Sequence, residues 1–264
     1  MLVAFSGGAD SAFLLAAAAR ALGAERVVAA TAVSPSLPAA ELAAAARFAD
    51  DLGVRHLHPH TDEMSRAGYR ANAGNRCYFC KAELLDVLWP VAERVGVAHV
   101  ATGTNADDAV AGFRPGIRAA AERGAVTPLL DAGLTKAQVR AASREWGLVT
   151  WDKPAAACLA SRVAYGVPVS EPSLRRIEEA EDSLRLLGFE GDVRVRDQGQ
   201  ELARIEVKAE RFADVIARRD EIVDAMHEAG FLYVTLDLEG FRSGSQNLVL
   251  SLERPRIDGD AEEV

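Results

Sequence analysis

The chain has 264 residues, 49% of them hydrophobic and 26% charged, and its formal net charge is −9. This length can bury the core of one large or two modest domains, and the acidic balance disfavours a nucleic-acid partner. No apolar run reaches the roughly 18 residues of a membrane span, so we expect no membrane partner either. The three cysteines, an odd number, argue against a disulfide scaffold and favour the reducing cytoplasm.

The first 150 residues alternate between strand-like and helix-like runs. Strands are predicted at residues 2–5, 26–33, 54–58 and 97–102, and helices at 10–22, 38–52, 76–95 and 134–146. Alternation of this kind predicts the α/β class, with a doubly wound parallel sheet covered by helices on both faces. Ligands of such sheets bind beyond the carboxyl ends of the strands, which is where we expect the site.

The first predicted strand ends in the sequence SGGADS, which leads into a helix. A strand, a glycine turn and a helix N-terminus direct backbone N–H groups at one point, and this arrangement predicts an anion site. Gly7 and Gly8 let the backbone approach the anion, Ser6 and Ser11 can donate to phosphate oxygens, and Asp10 can hold a magnesium ion. The Lys-Ser/Thr pair of a Walker-type loop is absent.

The SGGxDS pattern resembles the pyrophosphate loop (PP-loop) of the ATP pyrophosphatase superfamily. Members of that superfamily cut ATP between its α and β phosphates, so the resemblance implies ATP and Mg²⁺ as cofactors. We therefore expect residues 1–150 to form a PP-loop ATP pyrophosphatase domain.

Beyond residue 150 the pattern changes. Residues 151–170 are predicted to form a linker that carries Cys158, and residues 256–264 an acidic tail. Between them, helices at 173–187 and 209–229, a hairpin at 193–196 and 202–207, and a strand at 232–238 predict a small α+β domain at 171–255. We expect this smaller domain to serve substrate binding or oligomerisation.

Cys77 and Cys80 form a C-x-x-C pair, which by itself suits a redox dithiol, half of a zinc site or half of an iron–sulfur site. The chain has one further cysteine, Cys158. Three thiolates would leave one iron of a [4Fe–4S] cluster open to an exogenous sulfide. The alternative is that Cys158 is a small buried residue and the pair is incidental. Lys or Arg stands near each cysteine, and such neighbours are expected to lower thiol pKa values.

Further motifs follow SGGADS in a fixed order: RCYFCK, GTNADD, RPGIRAA, PLLDAGLTKAQVR and WDKPAAACLASR. Over roughly residues 3–207 this series resembles the LarE family of ATP-dependent sulfur transferases. Those proteins adenylate a carboxylate of pyridinium-3,5-biscarboxylic acid mononucleotide and convert it to a thiocarboxylate, a step in making the nickel-pincer nucleotide of lactate racemase. The resemblance implies the same enzyme activity here, with a small nucleotide as substrate.

The family resemblance also implies how the sulfur is carried. In one branch, a single cysteine at the position matching Cys158 gives up its own sulfur. In another, three cysteines hold a [4Fe–4S] cluster that carries the extra sulfide. Because Cys77, Cys80 and Cys158 are all present, the chain resembles the cluster branch, and we predict that these three residues are the cluster ligands. Cys158 and Asp10 are the predicted catalytic residues.

Four cationic residues are candidates for binding the substrate. Lys153 and Arg162 bracket Cys158 and can bind phosphate or carboxylate, although exposed cations are often surface groups only. Arg194 and Arg196 share one face of the predicted hairpin, and the resemblance implies a role in phosphate binding across a subunit contact of a homo-oligomer. The alternative for the hairpin is cross-strand pairing with acidic neighbours.

Thr104 and Asp107 follow a predicted strand and are assigned to the ATP or Mg²⁺ site, with Asp107 preferred over Asp108. A helix cap is the alternative for this Asx cluster. His56, His58 and His60 share one strand face, and we interpret them as a structural or solvated row rather than a metal site.

Two other functions remain open at this point. A PP-loop tRNA thiolation enzyme can combine the same loop with three cysteines, but the acidic charge and the lack of a recognisable RNA module weigh against it. A non-catalytic nucleotide-binding regulator with the same fold would release no pyrophosphate.

Overall fold

The computed structural model describes residues 1–110, 114–154, 157–242 and 244–252. The predicted acidic tail at 256–264 lies outside these residues. The strands are β1 (Leu2–Ala4), β2 (Val28–Ala30), β3 (Arg55–Leu57), β4 (Val100–Thr102), β5 (Arg194–Asp197), β6 (Leu202–Glu206) and β7 (Tyr233–Leu236). The helices are α1 (Ala9–Leu22), α2 (Ala39–Asp51), α3 (Ala67–Arg70), α4 (Arg76–Arg94), α5 (Ala106–Val110), α6 (Pro115–Glu122), α7 (Pro128–Asp131), α8 (Lys136–Glu145), α9 (Glu171–Leu186), α10 (Phe212–Ala217), α11 (Arg219–Glu228) and α12 (Leu248–Leu252).

The first four strands form one parallel sheet in the order β3-β2-β1-β4. Every residue of β1, β2 and β4 is buried, as expected for parallel strands that are covered on both faces. Alternate side chains of β1 point to opposite faces: Val3 packs with Phe13 of α1, whereas Leu2 packs with Leu85 and Leu88 of α4. The predicted doubly wound α/β fold is therefore confirmed.

Local sequence signals set several helix ends. Thr135 caps α8 through a capping box with Gln138, and Gly147 follows the helix with a φ of 69°. Ser170 caps α9 by accepting from the backbone N–H of Ser173 at 3.2 Å. The sequence analysis predicted these two helices at residues 134–146 and 173–187.

The second sheet joins an antiparallel pair, β5 and β6, to β7, which runs parallel to β6. This confirms the predicted hairpin and the smaller α+β unit. The hairpin packs against α9 and α11 in a core that includes Ile177, Val195, Ile205 and Met226. The limits of the predicted domains and linker stay predictions.

The single helix predicted over residues 209–229 is wrong. The chain instead forms α10 and α11, separated at Arg218, whose φ and ψ are −108° and 23°. The Arg218 guanidinium donates to the carbonyl of Leu187 and pairs with Glu221 at 2.7 Å, which holds the break against the end of α9. The apolar spacing from Val215 to Ile222 continues through the break, so the sequence pattern did not reveal it.

The first unit also contributes to the core of the second. Tyr69 of α3 and Leu159, which follows Cys158, are packed within the same core as the second sheet. Asn72, fully buried with a φ of 51°, donates from its amide to the carbonyls of Ala164 and Val167, both at 2.8 Å. The segment that carries Cys158 is thereby fixed between the two sheets. In the part of the chain described, no helix has the length and apolar character needed to cross a membrane.

Candidate active site

The loop after β1 folds around the hydroxyl of Ser11. Its Oγ donates to the Gly8 carbonyl at 3.1 Å, accepts from the Ser6 backbone N–H at 3.3 Å, and lies 3.2 Å from the Ser6 Oγ. Gly7 has a φ of 71°, a left-handed conformation that favours glycine. These contacts place the N-terminus of α1 directly behind the loop, as an anion site requires.

A cavity of about 320 Å³ opens beyond the carboxyl ends of β1, β2 and β4. Ser6, Gly8, Asp10 and Ser11 of the loop form one wall. The other walls include Thr31 after β2, Thr104 and Asp108 after β4, and Lys81 of α4. The cavity lies at the edge of the sheet where parallel folds bind their ligands.

The two carboxylate oxygens of Asp10 differ in their contacts. Its Oδ1 atom is buried and has no hydrogen-bond partner among the described residues. Its Oδ2 atom lies 3.5 Å from Nζ of Lys136, the first residue of α8. A buried carboxylate oxygen without a partner is costly, and an oxygen-preferring cation such as Mg²⁺ would satisfy it. The sequence analysis missed Lys136, because only the fold brings α8 to the loop.

Gly103 is a second residue that the site requires and that was not predicted. A Cβ atom at this position would lie 2.9 Å from the backbone nitrogen of Ser11 and 3.0 Å from its Cα. The turn after β4 can therefore approach the PP-loop only because residue 103 has no side chain.

Gly103→Ala is expected to lower the free energy of unfolding by about 1–3 kcal/mol, because backbone atoms cannot yield to the new methyl group. Chemical denaturation measures this change. Gly116→Ala is the matched control, since its Cβ would meet neighbours only at 3.5 and 3.8 Å and it lies near the start of α6. Equal stability of the two variants would contradict the close approach.

The polar residues that follow β4 have different contacts. Asp108 lines the cavity, and it exchanges capping hydrogen bonds with Asn105 at 3.1 and 3.3 Å. Asp107 accepts from the backbone N–H of Lys136 at 2.8 Å. Thr104 lines the cavity and lies 3.2 Å, Oγ1 to Oγ1, from Thr102. The nucleotide role of Asp107 stays a prediction, and the geometry gives Asp108 the position in the wall.

The three cysteines gather on one side of α4. Cys77 is exposed, whereas Cys80 and Cys158 are half-buried and pack against the core that contains the second sheet. Burial raises the pKa of the Cys80 thiol, and the nearby Cys158 raises it further. The expectation of lowered thiol pKa values is wrong for Cys77 and Cys80, because desolvation outweighs the nearby charges of Arg76 and Lys81.

The described residues contain no group of three or more His, Cys, Asp or Glu side chains arranged around a single metal ion. A cubane cluster sets a different requirement, because each cysteine ligates a different iron and the thiols need not converge on one point. The charge of Cys158 raises the pKa of both Cys77 and Cys80, so the three thiols lie near one another. Their donor type and their proximity fit an iron–sulfur cluster.

The segment after β2 joins the cavity to the cysteines. Leu37 lines the cavity, while the carbonyl of Ser36 accepts from the backbone N–H of Leu159 at 2.9 Å. The Ser36 hydroxyl also lies 2.5 Å from the hydroxyl of the buried Tyr69. The sequence pattern did not predict this connection, because it depends on contacts between residues that are far apart along the chain.

Lys153 and Arg162 are both paired. Lys153 Nζ donates to the carbonyl of Gly7 at 3.0 Å and to Glu41 at 2.7 Å, so it supports the PP-loop. Arg162 is buried, pairs with Glu181 at 2.9 Å, and donates to the carbonyl of Cys158 at 3.1 Å. Their predicted contact with substrate stays a prediction; the structure places both beside the cysteine segment.

The two hairpin arginines differ. Arg196 forms the cross-strand pair with Glu206, at 2.7 Å, and donates to the carbonyl of Ser161 at 3.1 Å. Arg194 has no carboxylate within salt-bridge distance among the described residues, and burial followed by the charge of Arg162 lowers its pKa. It lines a second cavity of about 230 Å³ together with Lys153, Arg162 and Ala157. Arg194 is therefore the hairpin cation available to an anion.

His56 belongs to a hydrogen-bonded chain that ends at the PP-loop. Thr31 donates to the carbonyl of Phe5 at 2.7 Å, so its Oγ1 accepts from Nε2 of His56, also at 2.7 Å. Nδ1 of His56 then accepts from His58 at 3.2 Å. Burial, followed by the charge of His58, lowers the pKa of His56 to about 4. This agrees with the structural interpretation of the row.

Protonation of His56 should destabilise the fold. Its folded pKa lies below the unfolded value, so the unfolded chain binds more protons between about pH 6.5 and 4. The free energy of unfolding is expected to be highest above pH 6.5 and to fall by about 1–2 kcal/mol as the pH approaches 4. Chemical denaturation across this pH range should show a smaller fall in the free energy of unfolding for His56→Gln than for the wild type. The exposed His99→Gln should show the same fall as the wild type. A fall of equal size in His56→Gln would show that other groups cause it.

A parallel sheet, a glycine loop at a helix N-terminus and, beside it, a buried carboxylate oxygen without a hydrogen-bond partner among the described residues define the class: an α/β protein with a PP-loop-like, doubly wound domain. The comparisons with known proteins narrow this class. The chain is 36% identical, over 94% of its length and 89% of the other, to pyridinium-3,5-bisthiocarboxylic acid mononucleotide synthase of Lactiplantibacillus plantarum. It therefore belongs to the family of these synthases, the LarE family, as its motifs predicted.

Two other relatives carry no functional name. An uncharacterized protein of Synechocystis sp. is 46% identical over 95% of this chain and 92% of its own length. An uncharacterized protein of Methanocaldococcus jannaschii is 32% identical over 65% of this chain and 66% of its own length. No protein-family model matches the chain. The assignment to the three-cysteine branch of the family stays a prediction.

Proposed function

We propose that this chain is an ATP-dependent sulfur transferase that adenylates a carboxylate of pyridinium-3,5-biscarboxylic acid mononucleotide and converts it to a thiocarboxylate. The observation that carries this proposal is the unpartnered, buried carboxylate oxygen of Asp10 at the PP-loop cavity, in a chain that belongs to the LarE family. Membership of the LarE family indicates the substrate class, and the cavity at the PP-loop is the proposed place where ATP is split.

Adenylation solves a chemical difficulty, since a carboxylate oxygen is a poor leaving group. A substrate carboxylate oxygen attacks the α-phosphorus of ATP, the bond to the bridging oxygen of the β-phosphate breaks, and pyrophosphate leaves with the bonding electrons. The backbone N–H groups at the start of α1, the hydroxyl of Ser6 and the ammonium group of Lys136 would stabilise that negative charge. Asp10 would hold Mg²⁺, whose charge supplies further stabilisation of the phosphates.

The substrate phosphate belongs in the second cavity. Arg194 faces that cavity without a carboxylate partner among the described residues, and Arg162 adds positive charge although it is paired. Lys153 lines this cavity and donates to the Gly7 carbonyl, so it connects the second cavity to the PP-loop. A mononucleotide bound by its phosphate at Arg194 would extend toward the adenylation site.

Sulfur insertion follows at the acyl adenylate. Sulfide sulfur attacks the acyl carbon, the carbon–oxygen bond to AMP breaks, and AMP leaves. Cys77, Cys80 and Cys158 would hold a [4Fe–4S] cluster, which when bound supplies an open iron for the exogenous sulfide. The Arg162 guanidinium orients the Cys158 segment through its carbonyl.

The test is an anaerobic reaction of the purified chain with ATP, Mg²⁺, sulfide and the biscarboxylic mononucleotide. We expect pyrophosphate and AMP to be released only with this substrate, and mass spectrometry to show one oxygen replaced by sulfur. Pyrophosphate release that requires bulk tRNA instead would favour the tRNA thiolation enzyme. No release with either substrate would favour a nucleotide-binding regulator.

We also propose a homo-oligomer in the cytoplasm. Exposed apolar side chains flank β7, which is an edge strand among the described residues: Leu232 is 62% exposed, Tyr233 64% and Leu238 82%. An exposed apolar edge of this kind is typical of a surface that pairs with another chain. Light scattering would give the mass in solution.

A further inference from the structure

Arg76, the first residue of α4, is a buried cation with an unusual set of partners. Its side chain is only 5% exposed. The guanidinium donates to the side-chain oxygen of Asn72 and, at 2.8 Å, to the carbonyl of Ala160. Both partners are neutral. Through them Arg76 connects the start of α4, which carries Cys77 and Cys80, to the segment that follows Cys158.

The charge of Arg76 has no counter-ion in the described part of the chain. No carboxylate there lies within 4 Å of its guanidinium, whereas the buried Arg162 and Arg196 each pair with a glutamate. A buried charge is costly unless it is paired, and neutral oxygens satisfy its hydrogen bonds without cancelling the charge. The position therefore calls for an anion that the described carboxylates do not supply.

The ionisable neighbours of Arg76 are the cysteines and a tyrosine. Cys77 is exposed on one side, yet burial raises the pKa of its thiol, while the positive charge of Arg76 acts against that rise. Arg76 also lies 5.9 Å from the ring centre of Tyr165, a residue that both Cys77 and Cys158 influence electrostatically. Arg76 thus precedes Cys77 directly in the chain and bonds to the carbonyl of Ala160, two residues after Cys158.

We infer that Arg76 is the counter-cation of the sulfur site: it balances the negative charge of the sulfur held by Cys77, Cys80 and Cys158, and it positions α4 against the Cys158 segment. This inference rests on the proposed function. A [4Fe–4S] core held by three thiolates, with a sulfide on its open iron, is anionic. Arg76 is a positioning residue, since it acts on the sulfur site through charge and through Asn72 and Ala160.

The test uses the full-length chain, reconstituted anaerobically with iron and sulfide, and compares Arg76→Met, which lacks the charge, with Arg76→Lys, which keeps it. We expect Arg76→Met to lose iron to a chelator about tenfold faster than wild type. Its cluster should also have a more negative midpoint potential, because removal of a nearby positive charge disfavours the added electron. Arg76→Lys should keep a potential close to that of wild type.

Arg70→Met is the matched control. Arg70 is exposed on α3 and likewise donates to neutral carbonyls, those of Met64 and Ser65, at 2.6 and 2.9 Å. We expect this variant to retain iron and potential as wild type does. If Arg76→Met does not fold, Arg76→Gln replaces it, since glutamine keeps a donor for the Ala160 carbonyl and lacks the charge.

The possible outcomes separate the inference from the proposed function. If Arg76→Met retains iron and has a midpoint potential as the wild type does, the role of Arg76 is overturned and the proposed function is not. A shared loss of unfolding free energy in Arg76→Met and Arg76→Lys, with no change in potential, would reduce Arg76 to a structural tie and also overturn it. A wild-type chain that binds no iron would reject the cluster and the counter-cation together, while substrate-dependent pyrophosphate release would still support adenylation.

Discussion

Asp10→Asn is expected to lower substrate-dependent pyrophosphate release by at least about 10²-fold, the scale of losing one strong electrostatic contact to the reacting phosphates. The Oδ1 atom of Asp10 is buried at the PP-loop cavity without a partner among the described residues. An amide has nearly the same size but lacks the negative charge that attracts a magnesium ion. A coupled pyrophosphate assay, run at several Mg²⁺ concentrations, measures the loss.

The fold should survive this substitution, since no hydrogen bond of Oδ1 is lost. We expect the free energy of unfolding to change by less than about 1 kcal/mol. Asp51→Asn, at the exposed end of α2, is the control for removing one negative charge. Pyrophosphate release by Asp10→Asn at the wild-type rate would contradict the assignment of Asp10 to the metal.

Cys158→Ala is expected to abolish thiocarboxylate formation while leaving adenylation intact. The physical reason is that Cys80 and Cys158 pack against the core that contains Tyr69 and Leu159, whereas the residues proposed to split ATP line the cavity at the sheet edge. This variant should therefore still release pyrophosphate but should not incorporate sulfur into the product. Parallel assays of pyrophosphate and of the sulfur-containing product, with iron analysis of the anaerobic protein, measure the two steps.

Cys77→Ala and Cys80→Ala decide how the sulfur is carried. If the three cysteines share a cluster, each of the three variants should lose most of its iron and its sulfur transfer. If Cys158 gives up its own sulfur, only Cys158→Ala should lose transfer, and mass spectrometry of the wild type after turnover should show the loss of one H₂S at Cys158. That second result would reject the cluster assignment.

Local patterns were sufficient to predict that Ser6, Asp10 and Ser11 lie together at the cavity. The strand, the glycine turn and the helix N-terminus are adjacent in sequence and have one shared geometry, whereas the roles of these residues stay predictions. Thr104 was placed for the same reason, as it follows β4 at the same sheet edge. The predicted helix at 209–229 failed where a tertiary contact of Arg218 overrode an uninterrupted apolar pattern.

Pairing between charged side chains could not be predicted in the same way. Arg194 and Arg196 are two residues apart on one strand face, yet only Arg196 has a described carboxylate partner. The strand register places Glu206 opposite Arg194, yet the Glu206 carboxylate pairs diagonally with Arg196, a choice that a two-residue spacing does not specify.

The amino-acid sequence by itself determined the family, the α/β fold, the PP-loop and the presence of three cysteines, because each depends on residue types and short spacings. The tertiary structure alone decided which groups lack partners and which backbones touch: the buried oxygen of Asp10, the close approach at Gly103 and the uncompensated charge of Arg76. Burial and charge balance are properties of segments that meet from distant parts of the chain, so they exist only once the two sheets have packed together.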